Sequence, residues 1–291
     1  MKPAPFEYHR PASLLETFDL LERYGDDGRV LAGGQSLVPA LNMRLATPRA
    51  VIDINRLPGL DGIRLAPEGL VIGALARHES VERSPLVREH APLLGMAMPH
   101  VGHEAIRTRG TVGGSLALAD PAAELPACCI ALDAAVIARN AADERRIPAA
   151  QFFTGLYTTA LRPYELIAAV EFPVAKAGER AVILELARRS GDYAMAGIAA
   201  KARLAGATLV DPQIVFFGLG ERPVLAQAAM AAISGQQVLA GTIAAAQAAL
   251  ATDLDPPADQ HGSPQTKRHL AGVLLARALK RMAGIEDARA A

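Results

Sequence analysis

The sequence carries no surplus of charge: 30 Lys and Arg stand against 30 Asp and Glu. Proteins that grip nucleic acid show a basic excess or a basic stripe, and neither is present. Cysteine is scarce. Cys128 and Cys129 are adjacent, which suits neither a bridge nor metal-ligand spacing, so both are expected as small core residues. No leader-like run precedes Phe6, and with two cysteines the expectation is a reduced, cytoplasmic setting. No apolar run reaches the length of about 18 residues that a spanning helix needs; Asp133 interrupts the best candidate. No Gly-x-Gly-x-x-Gly follows a strand, so an ordinary Rossmann site is not indicated, and no phosphate-loop Gly-x-x-x-x-Gly-Lys-Ser/Thr occurs. What remains is a chain of 291 residues, 51% apolar, long enough for two domains or one large one. Near-zero net charge suits a subunit that associates with others.

Along the chain, residues 11–28 read as a helix capped by Ser13, with Glu16 completing a capping box and Gly25 ending it. "RVLAGG" is a short strand, "SLVPALNMRLA" a helix, and residues 50–56 a second strand. Residues 63–75 read as a hairpin turning at Pro67–Gly69, and 78–102 as helix broken near Pro85 and Pro99. "CIALDAAVIARN" and "ELIAAVEFPV" are expected as β-structure. After about residue 176 three antiparallel strands are expected, then Ala-rich helices from Pro223.

Two short stretches stand out. "AGGQS" holds Ala32, Gly33, Gly34, Gln35 and Ser36; "TVGGS" holds Thr111, Val112, Gly113, Gly114 and Ser115. Gly-Gly lets a ligand approach the main chain closely. Successive N–H groups can then converge on an anion, and a helix beginning just after adds its free amides. One such loop suits one phosphate; two facing loops suit a diphosphate. Neither contains Lys or Arg, which argues against chemistry on the phosphates and for a cofactor whose diphosphate is only a handle.

The segments 32–60, 71–85 and 106–127, with "ARRSGDYAMAGIAA" (187–200) and residues 259–279, resemble the FAD-binding medium subunit of molybdenum hydroxylases, the group of carbon monoxide dehydrogenase, xanthine dehydrogenase and aldehyde oxidase. The resemblance runs in order over roughly residues 4–283. It implies an α+β chain: a vanillyl-alcohol-oxidase-type FAD-binding fold at 1–176, in subdomains of about 1–57 and 58–176. A carbon-monoxide-dehydrogenase-flavoprotein-like C-terminal domain follows at 177–291, with a three-stranded antiparallel sheet and helices. It implies FAD on this chain. Molybdopterin and [2Fe–2S] clusters are implied on a large and a small partner subunit, in a dimer of heterotrimers. Electrons would reach FAD from the clusters and leave to an external acceptor. Matched residue by residue, both glycine motifs hold the cofactor, Asp120 shapes the loop or reaches it, and Glu124 lies near its ribityl or adenosine part. Leu166 or Ile167 packs near its rings, and Tyr193 gates the isoalloxazine. Glu185 falls near a position where relatives that reduce NAD carry Lys; a carboxylate there disfavours an anionic reduced flavin and argues against NAD as acceptor.

His78, His100, His103 and His261 lack metal spacing and are expected in structural or surface duty, with His103 the nearest to the second loop. Arg107 and Arg109 are expected at the surface, the alternative being that one offsets the diphosphate charge or braces the loop. Arg188 and Arg189 read as a solvated face. Two other functions stay open from the residues alone: a self-sufficient flavin oxidase or reductase, and an assembly protein that has lost FAD. The substrate and the acceptor are left open.

Overall fold

The computed structural model describes residues 2–189 and 191–285; the chain ends at 1 and 291 assigned from the sequence lie outside the described residues. Three short parallel strands form the first sheet, with Ala50–Asp53 between Glu7–His9 and Gly28–Leu31. The helix Leu14–Tyr24 covers it through Phe18 and Leu21. The expected capping is present: Ser13 Oγ accepts from the Glu16 N–H (3.2 Å), and the Glu16 carboxylate accepts from the Ala12 N–H (2.7 Å). Gly25 ends the helix.

A second, antiparallel sheet has five strands in the order Ile63–Ala66, Gly69–Gly73, Leu166–Phe172, Ala135–Arg139, Glu144–Pro148. Residues 78–100 form several short helical pieces rather than two, because Pro85, Pro92 and Pro99 each open a new one. "CIALDAAVIARN" is not one β-segment. Cys129–Ala131 close the helix Glu124–Ala131, Asp133 turns the chain with φ +54°, and only Ala135–Arg139 is strand. A short apolar run reads alike as buried helix or buried strand, which is why periodicity failed here.

The third sheet contains the three expected strands, Glu179–Leu186, Ala196–Ala205 and Thr208–Phe217, in antiparallel order. Two further pairs, Val224–Leu225 and Gln236–Gln237, add to the last of them. Both faces are buried. Ile183, Ala199, Val215 and Phe217 join the core around the second sheet, while Ile198, Ala200, Ile214 and Phe216 face helices that include Pro264–Ala283. The period-2 alternation of a strand thus separates Phe216 from Phe217 into two cores. Phe217 lies over Gly197, where an added Cβ would sit 2.1 Å from its ring. Among the described residues, no helix is long and apolar enough to cross a membrane.

Cys128 and Cys129 are fully buried, and burial pushes the Cys129 thiol up to about 12 and Cys128 upward as well. In the native protein neither thiol should react with an aromatic disulfide reagent, and both should titrate after unfolding in guanidinium. Prompt native labelling would contradict this packing.

Candidate functional site

A cleft of about 740 Å³ runs between the first two sheets and the loop of residues 191–193, within the size range of cofactor pockets. The strand Gly28–Leu31 delivers the first glycine loop to it. Gly34 there adopts φ +74°, a conformation that favours glycine. Gly33 is glycine for another reason: an added Cβ would lie 2.5 Å from the Arg109 carbonyl oxygen and 2.9 Å from Gly110 Cα. The two loops therefore touch, main chain to main chain.

Their amides differ. Among the described residues, the N–H groups of Gly33, Gly34, Gln35, Ser36 and Leu37 donate to no protein acceptor. This is the open nest that an anion requires. In the second loop the amides are taken. Val112 donates to Ala76 (3.0 Å) and Gly113 to Ala74 (2.8 Å), while Ser115 donates to the Thr111 carbonyl (3.0 Å). Gly114 donates to Thr111 Oγ1 (3.2 Å). The expectation that amides of both loops converge on the ligand is corrected accordingly: the second loop is a wall whose backbone serves the fold, and Gly113 is glycine because a Cβ would strike Ala74 at 2.6 Å.

Asn55 and Arg77 fix the first loop. Asn55 Nδ2 donates to the Ala32 carbonyl (2.7 Å) and to Asp53 Oδ1 (2.7 Å). Arg77 donates to Asn55 Oδ1 (2.7 Å) and to the Arg109 carbonyl, joining the loops a second time. Asp53 is buried and also receives Tyr8 and Arg10. The sequence reading missed Asn55 and Arg77, since "INR" and "LAR" carry no spacing that marks them.

Every residue singled out from the sequence for the cofactor lines this cleft except Val112, which is fully buried in the core. Asp120 does shape its loop, accepting from the Ala122 N–H (2.9 Å), and its other oxygen meets the Tyr157 hydroxyl (3.3 Å). Leu166 and Ile167 sit at the start of their strand, one in the core of the first sheet and one in that of the second. Tyr193 is 60% exposed at the rim. Cleft residues that the sequence did not assign to it include His78, Ile106, Tyr157 and Glu165.

His78 lies against Gly110, and among the described residues neither ring nitrogen makes a hydrogen bond of good geometry. Burial lowers its pKa to about 4, helped by Arg107 and Arg77, so the ring is neutral at pH 7. His103 packs against Gly191 rather than lining the cleft, and Arg107 ties the helix Glu104–Arg107 to Glu82 of the helix His78–Arg83 (2.8 Å) and to the Gly102 carbonyl (3.0 Å). Arg109 contributes its carbonyl rather than its charge. Arg188 reaches the Gln260 carbonyl (3.0 Å), and His100 pairs with Glu185 (3.2 Å). Glu124 lines the cleft, nearly buried. Desolvation raises its pKa to about 7, and the neighbouring Glu185 and Asp120 add to that. Among the described residues, no group of three or more His, Cys, Asp or Glu is placed to hold a metal ion.

The donor set suits a dinucleotide: a nest of uncharged amides, glycines whose Cβ would fill the cradle, and apolar walls. Residues 4–175 match the FAD-binding domain in molybdopterin dehydrogenase, and residues 182–282 the CO dehydrogenase flavoprotein C-terminal domain. The chain is 38% identical over 280 residues to the 6-hydroxypseudooxynicotine dehydrogenase complex subunit alpha of Paenarthrobacter nicotinovorans, covering 96% of this chain and 95% of that one. Among solved structures, carbon monoxide dehydrogenase from Hydrogenophaga pseudoflava superposes with TM-score 0.95 at 35% identity, covering 99% of this chain and 100% of that one. Quinoline 2-oxidoreductase from Pseudomonas putida 86 does so with TM-score 0.92 at 34% identity, covering 98% and 99%.

Two outcomes follow from this geometry. Gly33→Ala should separate the loops and weaken FAD binding roughly ten- to a hundredfold by fluorescence titration. Gly62→Ala, where an added Cβ meets nothing within 4 Å, should leave it unchanged. Equal affinities would contradict the loop contact. For Glu124, the folded chain keeps a proton that the unfolded chain releases near ~4.3. Its contribution to stability therefore falls as pH rises from there to about 7, then levels off. Glu124→Gln should match wild type below pH 4 and gain on the order of 3 kcal/mol above pH 7. A denaturant-midpoint difference that does not change with pH would contradict it.

Proposed function

From the premise that the chain belongs to the FAD-binding medium subunits of molybdenum hydroxylase complexes, we propose that it relays electrons. It takes them from [2Fe–2S] clusters of a partner subunit and delivers them to an external acceptor. The observation that carries this reading is the run of unpartnered amides from Gly33 to Leu37, held against the second loop in the cleft. These N–H groups bind the diphosphate without a counter-charge, so the handle is gripped while its bonds stay unreactive. FAD supplies the redox chemistry, since a flavin can take electrons singly and pass on two.

The residues around it bind and orient. Asp120 and Tyr157 fix the loop beside the second glycine motif. Leu166 and Ile167 form an apolar wall for the rings, and Glu124 presents a carboxyl to a hydroxyl-bearing part of the cofactor. Tyr193, exposed at the rim, governs what approaches the isoalloxazine. Substrate is oxidised on the molybdopterin subunit, whose small-subunit partner carries the clusters, in a dimer of heterotrimers in the cytoplasm. Relatives named as a dehydrogenase complex subunit alpha and a hydroxylase medium subunit support a multi-subunit assembly. The FAD-binding part ends near residue 176, where the strand Leu166–Phe172 gives way to Glu179–Leu186 of another sheet.

The purified chain mixed with FAD should acquire the visible spectrum of a bound oxidised flavin and oxidise no substrate on its own. Failure of the folded chain to take up FAD would overturn the assignment. Turnover of a small alcohol or NADH by the isolated chain at the rate of the complex would favour a self-sufficient oxidoreductase instead.

A further inference from the structure

The mouth of the cleft is organised by one turn. Asp120 Oδ2 accepts from the Tyr157 hydroxyl (3.3 Å). The carbonyl of the next residue, Pro121, accepts from the Gly218 N–H (2.8 Å). Gly218 in turn packs on Ala194, where an added Cβ would lie 2.7 Å from the Ala194 carbonyl oxygen. Ala194 follows Tyr193 in the chain, so both Tyr157 and Tyr193 are tied to the Asp120–Pro121 turn. Both line the cleft, yet they are 55% and 60% exposed. Tyr157 belongs to the two-residue turn between the paired strands Phe153–Gly155 and Thr158–Thr159, and its φ is +53°, a conformation that favours glycine. A bulky ring is held there against the local preference of the backbone, which points to a task for the side chain beyond the fold.

Charge distinguishes this end of the cleft. Among the described residues that line it, Arg29 alone is a lysine or arginine. It lies on the strand leading to the first glycine loop, with its guanidinium on the Asp26 and Gly28 carbonyls (2.7 and 2.9 Å). The acids of the lining are Asp120, Glu124, Glu165 and Asp192. Arg145 neutralises Glu165 through two hydrogen bonds of 2.7 Å. Asp120 receives only neutral donors, the Ala122 N–H and the Tyr157 hydroxyl, and Asp192 is exposed beside Tyr193. Arg188, from the same loop as Asp192, reaches the Gln260 carbonyl (3.0 Å), and neither it nor Arg189 lines the cleft. The mouth therefore offers aromatic rings and negative charge. An anion is repelled there, whereas a neutral ring is not and can lie against the tyrosines.

We propose that this mouth receives the external electron acceptor as a flat, uncharged ring of the quinone class, and turns away anionic acceptors such as a pyridine dinucleotide. The proposal rests on the FAD reading above. Tyr157 and Tyr193 supply the ring contacts, and Asp120 and Asp192 supply the selection by charge. The exchange balances without another reagent. FADH2 and quinone become FAD and hydroquinone, with two electrons and two protons passing from one ring to the other.

The test uses the full chain loaded with FAD and photoreduced without oxygen, then mixed with menadione or with a naphthoquinone sulfonate. The menadione rate should not change with salt. The sulfonate rate should rise roughly threefold or more between about 0.02 and about 0.5 M salt, as screening relieves the repulsion. Asp192→Lys should raise it at low salt. Menadione binding to the oxidised holoprotein, read by quenching of flavin fluorescence, should weaken roughly three- to tenfold in Tyr157→Gly and recover in Tyr157→Phe. Glycine suits φ +53°, so the glycine variant keeps the turn. Leu156→Ser, in the same turn but outside the cleft lining, should bind menadione as wild type does. A sulfonate rate that is flat or falls with salt would overturn the proposal. So would faster reoxidation by NAD than by menadione at low salt, or undiminished menadione binding in a Tyr157→Gly chain that holds FAD. Should Tyr157→Gly shed FAD, the salt dependence and Asp192→Lys decide. Failure of wild type to hold FAD would instead overturn the cofactor assignment.

Discussion

The contact of Gly33 with the Arg109–Gly110 main chain sets everything else in the cleft. No side chain intervenes, so the two loops stand at backbone distance, and any Cβ would push them apart. Arg77 and Asn55 lock the same junction with hydrogen bonds to the Arg109 and Ala32 carbonyls. Among the described residues, five successive amides of the first loop, Gly33 to Leu37, have no protein acceptor and are left for a ligand. A rigid nest needs no reorganisation when an anion arrives, which is where its affinity originates.

The loops share a motif but not a task. In the second, Thr111 caps its helix, and the amides of Val112, Gly113, Gly114 and Ser115 go to protein acceptors. Its glycines answer to packing, against Ala74 for Gly113 and against Thr111 for Gly114. One loop leaves its amides free, and the other holds it in place.

Electrostatics divides the cleft. Near the loop junction the polar groups are neutral amides, a neutral His78 and the paired Arg77. The side that carries Tyr193 gathers carboxyls, with the Glu124 pKa raised to about 7 by burial and by Glu185 and Asp120.

Much was legible in the residues themselves. Ser13 and Glu16 specified a helix start, the turn at residues 67–69 a hairpin, and the doubled glycine motif a dinucleotide cleft, because each depends on local conformation within a few residues. The family likeness placed Asp120, Glu124, Leu166, Ile167 and Tyr193, and all five line one cleft. Tertiary structure alone decided the rest. It chose helix over strand for Cys129–Ala131, because a buried apolar run satisfies either pattern. It assigned free amides to one loop and spent those of the other, because that depends on carbonyls from Ala74 and Ala76 some forty residues away in the chain. It brought Asn55 and Arg77 to the first glycine loop, since hydrogen bonds between residues distant in sequence leave no spacing to read.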